Sequence, residues 1–177
     1  MLGKIFSAVV CAVLLVSCGS EPPSEQRKAE AGATATGITP AEAAARFPQE
    51  DLPEGAPNPP VTGVCLKDVC EVNKAEFERR DWPKAWQGDY SAQRNVAYCR
   101  ANGCDGAVET NRAEACAWRS IIIVAHVGTT HDGDTANLKM DCGELDDAGI
   151  AVAISTAENI YGRIYKKPMP KAGIPTR

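Results

Sequence analysis

Histidine is scarce in this chain, and an excess of basic residues is absent. His126 and His131 are the two histidines among 177 residues, and 19 Lys and Arg stand against 23 Asp and Glu, for a formal charge of −4. Because proteins that bind nucleic acids use basic patches to displace counterions from the phosphates, this balance argues against a nucleic-acid partner. The two histidines also lie away from the cysteines, which argues against a zinc site or a cysteine–histidine nucleophile.

A hydrophobic run long enough to cross a bilayer is also missing. The apolar segment from Ile5 to Val16 is too short to span a membrane comfortably, and Lys4 precedes it. A basic residue followed by a short apolar run is typical of a signal peptide, which we place at residues 1–17.

The end of that segment, LVSC at residues 15–18, resembles the lipobox of bacterial lipoproteins. The resemblance implies cleavage before Cys18, diacylglycerol on its thiol and an acyl chain on its amine, which together anchor a protein stably. Gly19 in place of aspartate implies, by the enterobacterial sorting rule, an outer-membrane anchor with the protein facing the periplasm. Loss of Lys4 with the signal peptide would change the formal charge to −5. The alternative is an ordinary secretory signal with a chance cysteine near the cut.

Large apolar residues are almost absent between the lipobox and residue 62, where eight of the twelve prolines lie. Such a segment cannot bury enough surface to order itself, so residues 18–62 are predicted to form a disordered tether. Within it, Thr39 as N-cap and Pro40 at the first helical position predict a short helix, which we expect to be transient. At the other end, residues 168–177 are basic and proline-rich and are predicted to be a flexible tail.

Six cysteines remain beyond the predicted anchor. An even number in an exported protein predicts three disulfides, although six cysteines allow fifteen pairings and the sequence does not choose among them. Two pairs are separated by five residues and are able to close locally, which would leave the remaining two to pair with each other. Zinc is the competing interpretation, but a C-x4-C spacing is wider than the usual zinc knuckle. The six candidates are Cys65, Cys70, Cys99, Cys104, Cys116 and Cys142.

The rest of the chain, residues 63–167, shows a helical period and is long enough for one core. A helix over 89–101 is predicted to stop at Asn102-Gly103, and Asn111 with Glu114 predicts the N-cap of a second helix. That second helix contains the β-branched run 121–124, for which a buried strand is the alternative. Further helices are predicted upstream, one to Arg80 and another from Pro83, and downstream over 138–145 and from Asp147. We therefore predict an all-α fold of antiparallel helical hairpins.

The predicted hairpin between residues 88 and 125 carries a set of small, amide and aromatic residues: Ala92, Gln93, Asn95, Val96, Ala97, Gly103, Gly106, Ala115 and Trp118. With these residues it resembles the Sel1-like repeat, a relative of the tetratricopeptide repeat. Small residues at the matching positions let two helices approach closely, and loop glycines permit a left-handed turn. The resemblance implies a surface that binds other proteins without chemistry of its own; the alternative is a generic alanine-rich hairpin. Residues 138–165 are predicted to be a decayed second hairpin.

Other polar and aromatic residues suggest sites of a different kind. In the loop from His126 to Asn137, His126 with Asp132 or Asp134 could hold a metal, but the loop lacks a calcium-binding register, and a solvated loop with a helix cap is favoured. Paired carboxylates such as Asp146 with Asp147, or Glu109 with Glu114, are typical of glycosidases but equally of helix N-termini.

Trp82 and Trp86 lie four residues apart on either side of a proline. They are candidates for a partner-binding ridge, and packing in the core is the alternative.

The sequence thus predicts a lipid-anchored periplasmic protein that is not an enzyme, needs no metal or cofactor, and binds another envelope protein. An inhibitor or structural regulator of an envelope hydrolase is the first alternative, and a cell-wall-acting enzyme is the second.

Overall fold

The structure is a computed structural model that describes residues 37–171. Over that range the secondary structure is helical, and the one strand-like feature is an isolated antiparallel bridge between Val61 and Val108. This confirms the predicted all-α class. The elements are α1 (Pro40–Ala45), α2 (Asp68–Glu76), a π-helical turn (Phe77–Asp81), α3 (Trp82–Trp86), α4 (Tyr90–Asn102), α5 (Arg112–Ala125), α6 (Asp132–Gly143) and α7 (Asp147–Tyr165).

The hairpin of α4 and α5 begins and ends where its capping residues predict. The Asp89 side chain accepts a hydrogen bond from the Ala92 amide at 2.8 Å, and that of Asn111 accepts one from the Glu114 amide at 3.0 Å. Gly103 ends α4 with φ +85°, and a Cβ at this position would lie 3.2 Å from the Thr110 side chain. The left-handed backbone conformation therefore favours glycine, and a Cβ here would also crowd the Thr110 side chain.

Helix α5 is the centre of the molecule, because α4, α6 and α7 all pack against it. The β-branched run at 121–124 is helical and not a strand, and the side chains of Ile121 and Ile122 are fully buried. A helix that is apolar on most of its surface has to be covered on several sides. The prediction of a second hairpin over 138–165 differs from the structure, since α6 and α7 pack mainly against α5 rather than against each other.

Between α2 and α3 the chain does not break as predicted, but continues through the π-helical turn. The amide of Trp82 donates to the carbonyl of Phe77, five residues earlier. Pro83 lies in the first turn of α3, where its missing N–H is tolerated. The inserted residue turns Asp81 inward, and its side chain is nearly fully buried.

Residues 37–62 are packed against the domain, so the predicted tether boundary at residue 62 is wrong for this part of the chain. Helix α1 has a full capping box between Thr39 and Glu42, and Ala43 is completely buried. Further along, the indole of Trp82 donates to the Pro57 carbonyl at 2.7 Å, and Val61 pairs with Val108. Composition misses this packing because it is made by backbone groups and small side chains. Residues 1–36 and 172–177, with the predicted signal peptide, Cys18 and most of the tail, lie outside the described range.

Three tryptophans form the middle of the core. The rings of Trp82, Trp86 and Trp118 lie 5.8 to 6.2 Å apart, each pair with edges facing rings. Trp82 is 2% exposed and Trp86 is 6% exposed. The interpretation of these two residues as a partner-binding ridge is therefore replaced by the alternative, core packing. Their spacing of four residues in a continuous helical run places both on the inner face.

All three predicted disulfides are present. Two of them join cysteines that are five positions apart, Cys65–Cys70 and Cys99–Cys104, with Cα–Cα distances of 5.5 and 4.9 Å. The third, Cys116–Cys142, spans 26 residues and joins α5 to α6 with a Cα–Cα distance of 4.9 Å. None of the helices within residues 37–171 is long and apolar enough to cross a membrane.

Candidate binding cleft

An open cleft of about 510 Å³ lies between the α2–π-turn segment and α4. Its wall carries three carboxylates, three asparagine amides and one exposed aromatic ring, and the Cys99–Cys104 disulfide borders it. The polar lining residues are Asn73, Glu76, Asp81, Asn95, Tyr98 and Asp105, together with Asn102. We call this the polar cleft.

Asp81 lies at the base of the polar cleft because the π-helical turn points it inward. Its Oδ1 accepts a hydrogen bond from Arg80 Nε at 2.7 Å, and the Asn95 side chain also donates to it. Burial raises the pKa of the Asp81 carboxyl above its ordinary value, while the hydrogen bonds from Arg80 and Asn95 act in the opposite direction. π-Helical turns within helices occur frequently at functional sites.

The other two carboxylates are also held in place. Arg80 reaches Glu76 at 2.5 Å, so one guanidinium serves both Glu76 and Asp81. On the opposite side, Asn73 Nδ2 donates to Asp105 Oδ2 at 2.9 Å. Three carboxylates outnumber the one guanidinium of Arg80, which pairs with two of them, so the polar cleft has a net negative charge.

The Cys104–Asp105 segment beside the cleft has an uncommon backbone. Both residues have positive φ, 43° and 58°, in the left-handed region that non-glycine residues seldom adopt. The disulfide to Cys99 and the hydrogen bond from Asn73 to the Cys104 carbonyl hold this conformation. The carboxylate of Asp105 is thereby fixed at the rim of the polar cleft.

Tyr98 supplies the exposed aromatic surface, since 59% of it is accessible on α4. Asn95, one turn earlier on the same helix, is also exposed. Of the residues that resemble the Sel1-like repeat, Asn95 is the one that lines the polar cleft. The apolar members of the set are packing residues: Ala92, Val96, Ala97, Ala115 and Trp118 are all buried.

The histidine-containing segment includes the predicted helix cap, but its loop is shorter than predicted because α6 already begins at Asp132. His131 is the N-cap of α6, and Asp134 is 1% exposed. Asp134 Oδ2 accepts from the Tyr90 hydroxyl at 2.5 Å, and Oδ1 lies 2.8 Å from Arg94 Nε, an ion pair without hydrogen-bond geometry. Burial raises the Asp134 pKa, but the hydrogen bonds from Tyr90 and the His131 backbone and the charge of Arg94 outweigh it and leave the pKa below its ordinary value.

His126 lies on the other side of this network, at the C-terminal end of α5. Its Nε2 is 2.9 Å from Gln93 Oε1, and Gln93 Nε2 in turn donates to the Tyr165 hydroxyl at 3.1 Å. Burial lowers the pKa of His126, although the charges of Asp89 and Asp134 act against this. Gln93 is completely buried and thus ties α4, α5 and α7 together.

Two of the remaining acidic candidates, Asp146 and Glu114, have structural partners for their carboxylates. Asp146 caps α7 by accepting from the Gly149 amide at 2.7 Å, and Glu114 pairs with the buried Arg100 at 2.6 Å. Arg100 also donates to the Glu109 carbonyl. Across residues 37–171 the structure has no group of three or more His, Cys, Asp or Glu placed to hold a metal ion.

The sequence does not predict the polar cleft. Asp81 and Asn95 are fourteen residues apart, and neither belongs to a recognisable ligand motif. The one signal was Asn95, an amide in a repeat pattern made mostly of small and apolar residues.

Comparison with known proteins adds no support to the Sel1-like resemblance, which depends on its motif residues alone. No protein-family model matches the chain, and neither a curated protein nor a solved structure resembles it significantly.

Proposed function

We propose that this protein is a non-catalytic binding module of the bacterial envelope, with a Sel1-like hairpin, anchored in the outer membrane by acylation of Cys18 and facing the periplasm. Its partner is another envelope protein, bound in the polar cleft. The observation that carries the proposal is the cleft itself, which is open, polar and assembled on rigid helices and a disulfide.

The chemistry of the polar cleft favours a basic side chain as the ligand group. Glu76, Asp81 and Asp105 outnumber the one guanidinium, and the asparagine amides offer additional carbonyl acceptors. The exposed ring of Tyr98 is able to stack on a guanidinium or ammonium group. We therefore propose that the partner presents an arginine or lysine to this cleft.

A binding role is also supported by how the other reactive side chains are used. His126 is bonded to Gln93, Asp134 to Tyr90, and Glu114 to Arg100. Each of these groups connects helices of the core, and none of the three lines the polar cleft.

The proposal is tested by placing a positive charge in the polar cleft. Asn95→Arg puts a guanidinium beside Asp81, where it competes with a basic group of the partner. We expect affinity for the partner to fall by about tenfold or more, equivalent to about 1.4 kcal/mol. The measurement is affinity purification of the acylated full chain, identification of the retained protein, and titration of the two purified proteins.

Val152→Arg is the matched control, because Val152 is exposed on α7, outside the polar cleft. It adds the same charge and should leave the affinity unchanged. Equal binding by the wild-type chain and the Asn95→Arg variant would reject the cleft as the binding site. Mass spectrometry of the mature N-terminus tests the anchor, which predicts a diacylglyceryl group on Cys18.

A further inference from the structure

Within residues 37–171, three exposed apolar side chains lie close together in the loop and first helical turn formed by residues 64–69, which we call the apolar loop. Val64 is 71% exposed, Leu66 93% and Val69 44%. Three such residues within six positions differ from the single apolar side chains that are normal on a protein surface.

A disulfide and backbone hydrogen bonds restrain the apolar loop at both of its ends. The Cys65–Cys70 disulfide closes it, and Cys70 is buried in the core. On its N-terminal side the Thr62 amide donates to the Ala107 carbonyl at 2.9 Å, and on its C-terminal side the Cys70 amide donates to Lys67 at 3.0 Å. The backbone that carries these apolar side chains is therefore restrained, so little backbone entropy is lost on binding.

The apolar loop lies on the part of the domain where the N-terminal chain enters. A Cβ on Gly37, the first described residue, would lie 2.8 Å from Asp68 Oδ1, and α1 packs against α2. Gly37 lies nineteen positions after Cys18, and this stretch spans at most about 65 Å when fully extended. A lipid on Cys18 thus brings this side of the domain within reach of a bilayer.

We propose that the apolar loop inserts into the lipid bilayer to which the protein is anchored, with Leu66 at its tip. This rests in part on the proposed acylation of Cys18. The charges around the loop are mixed, with Lys67 beside Asp68 and Glu71, so the attraction is apolar rather than electrostatic. Insertion should therefore depend little on anionic lipid or on salt.

The test introduces an indole at the tip with Leu66→Trp in the acylated full chain, reconstituted into phosphatidylcholine vesicles. Emission from this indole should shift to shorter wavelength, and brominated acyl chains should quench it. Val152→Trp places an indole at an exposed position on α7 and should not be quenched by the lipid. The native tryptophans are buried and form a common background, which the wild-type chain measures.

Quenching at position 66 but not at 152, unchanged when phosphatidylglycerol or 0.5 M salt is added, is the expected result. An indole at position 66 that brominated lipid does not quench and that aqueous acrylamide does quench overturns the proposal and leaves a protein partner as the occupant. Mass spectrometry of Cys18 separates the two hypotheses. If Cys18 carries no lipid, the proposed function fails, and the same quenching measured with added vesicles still decides whether the apolar loop binds lipid.

Discussion

Near neutral pH, protonation of His126 should lower the stability of the folded domain. Burial lowers its pKa in the folded protein below the ordinary value of 6.5. The unfolded chain therefore binds more protons than the folded one between 6.5 and the lower folded pKa. The contribution of His126 to the free energy of unfolding should be greatest above pH 6.5 and should fall as the pH decreases through this window.

His126→Gln tests this prediction, because glutamine is able to keep a hydrogen bond to Gln93 but does not titrate. We expect the variant to lose the decline in stability just below pH 6.5 while keeping the decline at lower pH that Asp134 causes. That second decline belongs near and below pH 3.8, since the Asp134 pKa is depressed in the folded state. Urea unfolding from pH 2.5 to 8 covers both declines, and parallel curves for the two proteins above pH 4.5 would contradict the prediction for His126.

Individual residues also show where sequence and structure agree. Asp89, Gly103 and Asn111 act locally, through caps and a left-handed turn, so their roles were predictable. Asp81 and Asn95 meet only because α2, the π-helical turn and α4 pack together. No local pattern encodes that contact, and the polar cleft was therefore missed.

At the scale of elements, the disulfides should stabilise the fold unequally. In the chain-entropy view, cross-linking a loop of 26 residues restricts the unfolded chain by about 3.5 kcal/mol, and a five-residue loop by about 2 kcal/mol. Replacing Cys116 and Cys142 by alanine should therefore lower the free energy of unfolding by roughly 1 to 2 kcal/mol more than replacing Cys99 and Cys104.

The Cys65–Cys70 pair is the matched control, because it closes the same separation as Cys99–Cys104. Urea denaturation of the three double-alanine variants gives the comparison. The account is contradicted if removing either five-residue disulfide lowers the free energy of unfolding as much as removing Cys116–Cys142 does, or more. The same experiment would show how far the link between α5 and α6 holds the second core cluster, which includes Leu138 and Ala153.

The sequence predicts some of the helices correctly and others not, and the difference has a physical cause. Apolar periodicity and caps predicted α4, α5 and α7, because these helices bury one or more long faces. The proline at 83 predicted a break that the π-helical turn replaces, since proline fits the first turn of α3. Residues 37–62 were predicted to be a tether because they have few large side chains, yet their carbonyls and small residues fit the core surface.

At the scale of the whole molecule, the described domain has two distinct surfaces with different chemistry. The polar cleft carries carboxylates and amides, whereas the apolar loop carries Val64, Leu66 and Val69 on a disulfide-closed frame. We propose that the first binds a basic group of an envelope protein and the second binds the bilayer. Together they would hold the domain at the membrane with its polar cleft available to a partner.

The most direct test of this account is photo-crosslinking in intact cells from position 98, at the rim of the polar cleft. A photoreactive amino acid replaces Tyr98 in the full chain, and the control replaces Val152; both positions are more than half exposed. The account predicts a specific adduct with one envelope protein from position 98, absent from position 152 and abolished by Asn95→Arg. Adducts of equal yield from both positions, or an adduct unaffected by Asn95→Arg, would contradict the claim that the polar cleft is the binding site.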